Sequence, residues 1–249
     1  MKLSAVILTK NEEEMIKDCL ESVRFVDEII IIDANSSDKT REIAQKYTPN
    51  IYIYPPPGFA DHRNFGLEKS HWQWILYLDA DERVTPGLKR EVLNLVNSNT
   101  DSNGFFVKRD NFYLGKKWPS QDKIQRLFRK EKFIKWLGEL HETPQIKGGY
   151  GILENPLIHI THRNLSQMLK KTIEWSSIEA KLRFDAHHPK VTWWRLLRVM
   201  TTEFWNYYVK QRGFRAGTVG IIESLYQSFS IFITYVKLYE LQIKQEEKP

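Results

Sequence analysis

Trp74-Ile75-Leu76-Tyr77-Leu78-Asp79-Ala80-Asp81-Glu82 is an apolar run that stops abruptly in carboxylates. With no polar alternation, it reads as a strand covered on both faces, so the two aspartates fall just past its carboxyl end. The same grammar stands upstream. Leu3 to Thr9 is a short β-branched strand, and Asn11 with Glu14 has the spacing of a capping pair for a helix carrying Ile16, Cys19, Leu20 and Val23. Glu28 to Ile32 is a second strand ending at Asp33, and the polar loop 33–40 leads to a helix with Ile43, Ala44 and Tyr47 turned inward. Ile51 to Tyr54 is a third strand, stopped by Pro55-Pro56-Pro57-Gly58. A helix is expected from Ala60 to Lys69, and Thr85 with Pro86 caps another that carries Leu88, Val92, Leu95 and Val96.

Strands alternating with helices over the first hundred residues predict an α/β fold, a sheet with helices on both faces and ligands beyond the carboxyl ends of its strands. From Gly104 to Leu140 the pattern shifts to short strands, 105–107 and 125–129, around a turn at Gly115, which predicts a mixed continuation of the sheet. After Ile160 the chain reads as helical, over Leu165 to Phe184, Thr192 to Gln211 and Thr218 to Gln242. The expected division is a catalytic domain over 1–164 and a helical appendage over 165–249.

The composition, 249 residues with 41% hydrophobic and 27% charged, is that of a globular protein with a real core. A net charge of +6 is too small to name nucleic acid or membrane as a partner. The single cysteine, Cys19, allows no intrachain disulfide, and a reducing cytosol is the expected compartment. The apolar run at the N-terminus is too short for an export signal. The longest charge-free stretch near the C-terminus, Ser224 to Val236, falls well short of the ~20 residues that span a bilayer, so no transmembrane helix is expected.

Two carboxylates one residue apart at a strand end can hold a hard divalent cation, Mn²⁺ or Mg²⁺, with positions left open for phosphate oxygens. Taken alone, Asp-x-Asp is more often a solvated loop; its place beyond a buried strand argues otherwise for Asp79 and Asp81. Asp33 reads either as a loop-capping residue or as a third group on the same sheet edge, joined there by Thr9, Asn11 and Glu12.

Four blocks in order carry a family resemblance: Val6-Ile7-Leu8-Thr9-Lys10-Asn11-Glu12, Ile32-Asp33-Ala34-Asn35-Ser36-Ser37-Asp38-Lys39-Thr40, Arg63-Asn64-Phe65-Gly66, and Leu76 to Glu82 with Thr85-Pro86. The chain resembles the inverting glycosyltransferases of family 2, which have a glycosyltransferase-A fold and use nucleotide-sugar donors. Gln125-Arg126-Leu127-Phe128-Arg129, Trp136-x-Gly138-x-x-His141-Glu142 and Pro156-Leu157-Ile158-His159 look most like the lipopolysaccharide or lipooligosaccharide core β-1,4-glucosyltransferases. That resemblance implies a donor such as UDP-glucose and a lipid-linked glycan acceptor. It implies nucleoside contacts from Thr9 and Asp33 with Glu12 nearby, a diphosphate contact from Arg63, and a place for Asp79 at the ribose and metal. Asp81 would ligate the metal. His159 is either a further ligand or a strand-end histidine bonded to backbone. The base that takes the acceptor's proton is expected to be Glu142, with Glu139 as second choice and His141 as an orienting partner.

Arg126 and Arg129 are expected to share a strand face and meet anionic groups of the donor or acceptor. Trp136 either stacks on an acceptor sugar or is a buried aromatic. Lys190 to Arg215 holds six basic residues and one acid, Glu203, interleaved with Trp193, Trp194, Phe204, Trp205, Tyr207 and Tyr208. This is the composition of an interfacial helix on anionic lipid, peripheral to the inner face of the cytoplasmic membrane, or else of a helical cap or of a contact between two copies. No nucleic-acid recognition module accompanies it. A nucleotidyltransferase would show a glycine-rich basic loop after the first strand, where Thr9-Lys10-Asn11-Glu12-Glu13-Glu14 is acidic and glycine-free. A non-catalytic membrane-surface module is the remaining rival, against which the carboxylates at Asp33, Asp79, Asp81 and Glu142 stand.

Overall fold

A computed structural model describes residues 2–55, 58–138 and 142–246. Its elements in chain order are β1 (Leu3–Thr9), α1 (Ile16–Ser22), β2 (Glu28–Asp33), α2 (Thr40–Ala44), β3 (Ile51–Ile53), α3 (Phe59–Lys69), β4 (Trp74–Asp79), β5 (Glu82–Val84) and α4 (Pro86–Val96). There follow β6 (Ser102–Tyr113), β7 (Lys116–Lys117), β8 (Asp122–Arg129), β9 (Phe133–Leu137), β10 (Thr143–Ile146), β11 (Gly149–Thr161), α5 (Leu165–Asp185), α6 (Trp193–Trp205) and α7 (Thr218–Glu246). The chain forms two compact units, one of Met1–Asp110 with Gln121–His159, the other of Asn111–Ser120 with Ile160–Pro249. The division is thus not a single cut near 164, because the turn after β6 belongs with the helices.

In the first unit β3, β2, β1 and β4 lie side by side and parallel. β8 joins β4 antiparallel, β6 joins β8, and β11 and then β5 complete the order. The continuous apolar runs have the expected cause. Leu3, Ala5 and Ile7 of β1 pack into one core with Ile16, Cys19 and Leu20, while Val6 and Leu8 pack into another with Ile30, Ile32 and Tyr77. A strand buried on both faces has no room for polar alternation. Each such fully buried aliphatic side chain contributes roughly 1.5–3 kcal/mol. Gly66 on α3 lets that helix lie on β1: a Cβ there would sit 2.3 Å from Val6 Cγ1. Burial also pushes the Cys19 thiol far above its ordinary range, which leaves it inert.

The mixed α/β fold expected for the glycosyltransferase-A type is what the structure has. Three local expectations are corrected. Asn11 caps no helix: α1 begins at Ile16 with no side-chain cap, and Asn11 takes a left-handed φ of 54°. β6 and β11 are long strands where the sequence showed only a short segment at 105–107 and a strand end at His159, since Pro156 and Asn155 interrupt the apolar pattern of β11 without ending it. Arg126 and Arg129 do not meet a common set of groups, since Arg126 pairs with Asp79 and Glu82. Arg129 instead lies over the Trp74 ring at 4.8 Å.

The second unit is organised around α7. Tyr235 and Leu238 of α7 bury against Ala180 of α5 and Val191, with Leu196 and Val199 of α6 packed alongside. Trp118 is buried with Tyr113 and Ala216, and its Nε1 donates to Gln211 Oε1 at 3.0 Å. His162, at φ 47°, stacks on Tyr113 and holds the fully buried Glu223 at 2.8 Å. Gly220 is required where it stands, since a Cβ there would meet the Gly213 carbonyl at 1.8 Å. By length and composition, Thr218–Gln245 is apolar enough to cross a membrane, as many core helices also are. The charge-free count had not allowed this, because Glu223 breaks the run in sequence while in the fold it is paired with His162.

Candidate functional site

The carboxyl ends of β1, β2 and β4 gather the polar residues. Register aligns Thr9 with Asp33 and Leu8 with Asp79, so all three strands stop together. The loops that follow are zipped to one another. Asn11 N donates to Ser36 Oγ at 2.8 Å, Glu12 N to Thr40 Oγ1 at 2.8 Å, and Ser37 N to Asn11 Oδ1 at 2.8 Å. Asp33 anchors this wall from beneath, fully buried, accepting from Ser36 N at 2.8 Å and Ser36 Oγ at 2.6 Å. Among the described residues, the buried Thr9 Oγ1 has no hydrogen-bond partner, which suits a polar atom that meets a ligand.

Asp79 is the centre of a charged network. Its Oδ1 accepts from Arg63 Nη2 at 2.9 Å and its Oδ2 from Arg126 Nη2 at 2.6 Å. Arg126 also meets Glu82 Oε1 at 2.9 Å, and Glu82 is fully buried. Arg109 reaches Glu82 at 3.3 Å and forks onto Asp122 at 3.0 and 2.6 Å. Burial alone would raise the Asp79 carboxyl, but Arg126 and Arg63 overcome it and hold the group below the usual carboxylate range. For Arg126, burial works against the charge, and Asp79 and Glu82 outweigh it, so the guanidinium stays charged.

Local sequence explains how these groups are aimed. Phe105 pairs with Leu127 and Phe106 with Gln125, which leaves Arg126 as the extra residue of a β-bulge turned onto the β4 end. The Asp-Ala-Asp-Glu turn closes on itself through Asp79 N to Glu82 Oε2 at 3.1 Å, and buried Arg83 ties it to α1 through Ala80 O and Met15 O at 2.8 and 2.6 Å. Arg63 lies 5.2 Å over Trp136 and 6.0 Å over Tyr77. Beside it Asn64 exchanges two hydrogen bonds with the Trp136 backbone, at 3.0 and 2.8 Å. Trp136 is therefore a buried shelf under Arg63 in an aromatic core with Tyr77, Phe128 and Phe133, and no open platform for a sugar.

Glu142 is brought into the same network: its Oε1 accepts from Arg63 Nε at 2.8 Å. Among the described residues, the buried Arg63 Nη1 has no hydrogen-bond partner. Glu139 and His141 lie outside the described residues. Asp81 Oδ2 stands 3.4 Å from His159 Nε2, since β11 pairs with β5 and aligns His159 with Glu82. Among the described residues no three His, Cys, Asp or Glu side chains converge as a ready metal cage. A carboxylate and an imidazole fit a divalent cation whose remaining positions come from phosphate and water. The charge balance also suits one, with Asp79, Asp81, Glu82, Asp122 and Glu142 set against Arg63, Arg109 and Arg126.

Sequence reasoning assigned no role to Glu82, Arg83, Arg109 or Asp122. Glu82 ends the quoted strand run, and the alternation of Val107, Arg109 and Asn111 was the available signal that Arg109 shares the face of a buried residue.

Residues 4–150 match the family model described as Glycosyl transferase family 2. A Rhizobium meliloti protein named lipopolysaccharide core biosynthesis glycosyltransferase LpsC is 26% identical over 96% of this chain and 93% of its own. An uncharacterized glycosyltransferase of Rickettsia conorii is 25% identical over 98% of this chain and 92% of its own. Among solved structures, S. aureus TarS 1–349 in complex with UDP-GlcNAc superposes with a TM-score of 0.49 at 13% identity, covering 98% of this chain and 92% of that one.

Proposed function

The chain belongs to glycosyl transferase family 2 and is a glycosyltransferase, and from that premise we infer that it transfers glucose from UDP-glucose, with inversion, onto a sugar hydroxyl of a lipid-linked glycan such as lipopolysaccharide core. The observation that carries the reading is the Asp79 network at the strand ends, where Arg63, Arg126 and Glu142 converge beside Asp81 and His159. The core-biosynthesis name of the Rhizobium meliloti relative supports the acceptor class. Work on such an acceptor suits an enzyme at the cytoplasmic face of the membrane.

In this reading Thr9, with Asp33 beneath it and Asn11 and Glu12 in the adjoining loop, forms the nucleoside end. The unused N–H of Arg63 meets the diphosphate, and Asp79 takes the ribose side while keeping Arg63 and Arg126 in place. A divalent cation, Mn²⁺ or Mg²⁺, would be held by Asp81 and His159 with Asp79 behind them, and would supply positive charge for the departing UDP. Glu142 accepts the proton of the acceptor hydroxyl as that oxygen attacks the anomeric carbon opposite the nucleotide; the C1–O bond to UDP breaks as the new one forms. Arg63 fixes the Glu142 carboxylate by its Nε bond.

The test is turnover of a panel of UDP-sugars with a lipid-linked core acceptor, with the anomeric configuration of the product read by NMR. UDP-glucose as the preferred donor and a β-linked product are expected. A retained configuration or preference for another sugar would contradict the reading.

A further inference from the structure

No residue of α6 is buried, although Leu196 and Val199 pack on the core of the second unit. Its other side is left in water, and it is strongly apolar. Trp193, Trp194 and Trp205 are 73%, 61% and 57% exposed, and Leu197 is half exposed. At the helical turn angle these four positions fall within an arc of about 120°, so they form one stripe. Phe214 continues it beyond the helix, half exposed and set edge-on to Tyr208 at 6.3 Å. Single exposed aromatics are ordinary, but a stripe of this kind marks a surface that meets something.

The charges beside the stripe say what. Arg198, Lys210, Arg212 and Arg215 are exposed, and the one acid between Lys190 and Arg215 is Glu203. Glu203 is half-buried, and burial pushes its carboxyl up. A second copy of the chain seated on this stripe would set cations against cations. Indole rings flanked by exposed cations instead match the boundary between acyl chains and acidic headgroups. We propose that α6 and the segment to Arg215 form a docking surface for an anionic lipid bilayer, lying in its interface. The proposal goes beyond the transfer chemistry and does not rest on it.

The full chain is tested by flotation with phosphatidylcholine vesicles, with and without phosphatidylglycerol. Flotation with the anionic vesicles alone, reversed by high salt, is expected. The Trp193→Ser, Trp194→Ser, Trp205→Ser triple variant and, separately, the Arg198→Glu, Arg215→Glu double variant should each bind roughly tenfold more weakly. Wild-type circular dichroism is expected for both, and the charge variant keeps the test valid should the tryptophan variant fail to fold. Absence of wild-type flotation, or variants that float as well as wild type, would overturn the proposal. So would a lipid-free dimer, or binding to a single-stranded oligonucleotide, that the tryptophan substitutions abolish.

Discussion

The two units treat charge and apolar surface in opposite ways. The first hides its apolar residues on both faces of a sheet and brings charge inside, where Asp79, Glu82, Arg63 and Arg126 hold one another in fixed geometry. The second keeps Glu223 and His162 inside and displays indoles and guanidiniums together on α6. Fixed interior charge is what positions reacting groups, because its partners cannot rearrange when a ligand arrives. Displayed charge beside aromatic rings positions nothing internally and acts only on what lies outside the chain. Substitutions in the two regions should therefore fail in different assays.

The largest effect is expected for Glu142→Gln, which keeps the Arg63 contact and removes the base. Turnover should fall about 10²–10⁴-fold with UDP binding retained, as steady-state rates and titration would show; near-normal turnover would move the role to another group, Glu139 first. Arg126→Met leaves Asp79 with Arg63 and the buried Glu82 with Arg109 as their remaining arginines, and should cost about 1.5–3 kcal/mol in urea unfolding. Combining it with Glu82→Gln should cost less than the two single changes added, since they share one network. Gly66→Ala forces α3 off β1 and should cost about 1–3 kcal/mol by the same measurement.

Smaller, and useful for its sign, is the pH dependence. Asp79 titrates below its ordinary value in the folded chain, so its contribution is fully present above that value and lost as pH falls through the lowered one. Acid titration of stability in wild type against Asp79→Asn should show the difference vanish only below the ordinary carboxylate range. Removing Arg126 should shift that loss to higher pH. At the low end of the scale, Trp193→Ser should change stability by no more than about 0.5 kcal/mol. A large loss there would mean that the stripe is part of the core and would erase the contrast between the units.

Much of the first unit was legible because strands buried on both faces write continuous apolar runs, and Asp33, Asp79 and Thr9 mark where those runs end. The helices of the second unit were legible from their spacing, with Asn164 and Thr192 capping α5 and α6 as helix starts require. What stayed hidden was set by register. The bulge that aims Arg126, the pairing that brings His159 to Asp81, and the depth of Glu82 depend on which strand lies beside which, and a single strand's pattern carries no such information. For Trp136, which the sequence left as either a sugar platform or a buried aromatic, the choice was made by packing against Tyr77, Phe128 and Phe133.

Calorimetric titration of UDP into the full chain, with and without Mn²⁺, in wild type and Asp81→Ala and with ADP and GDP as competitors, tests the central claim most directly. Metal-dependent binding selective for UDP, abolished by the substitution, is expected. Metal-independent binding unchanged in Asp81→Ala, or no binding of UDP at all, would contradict it.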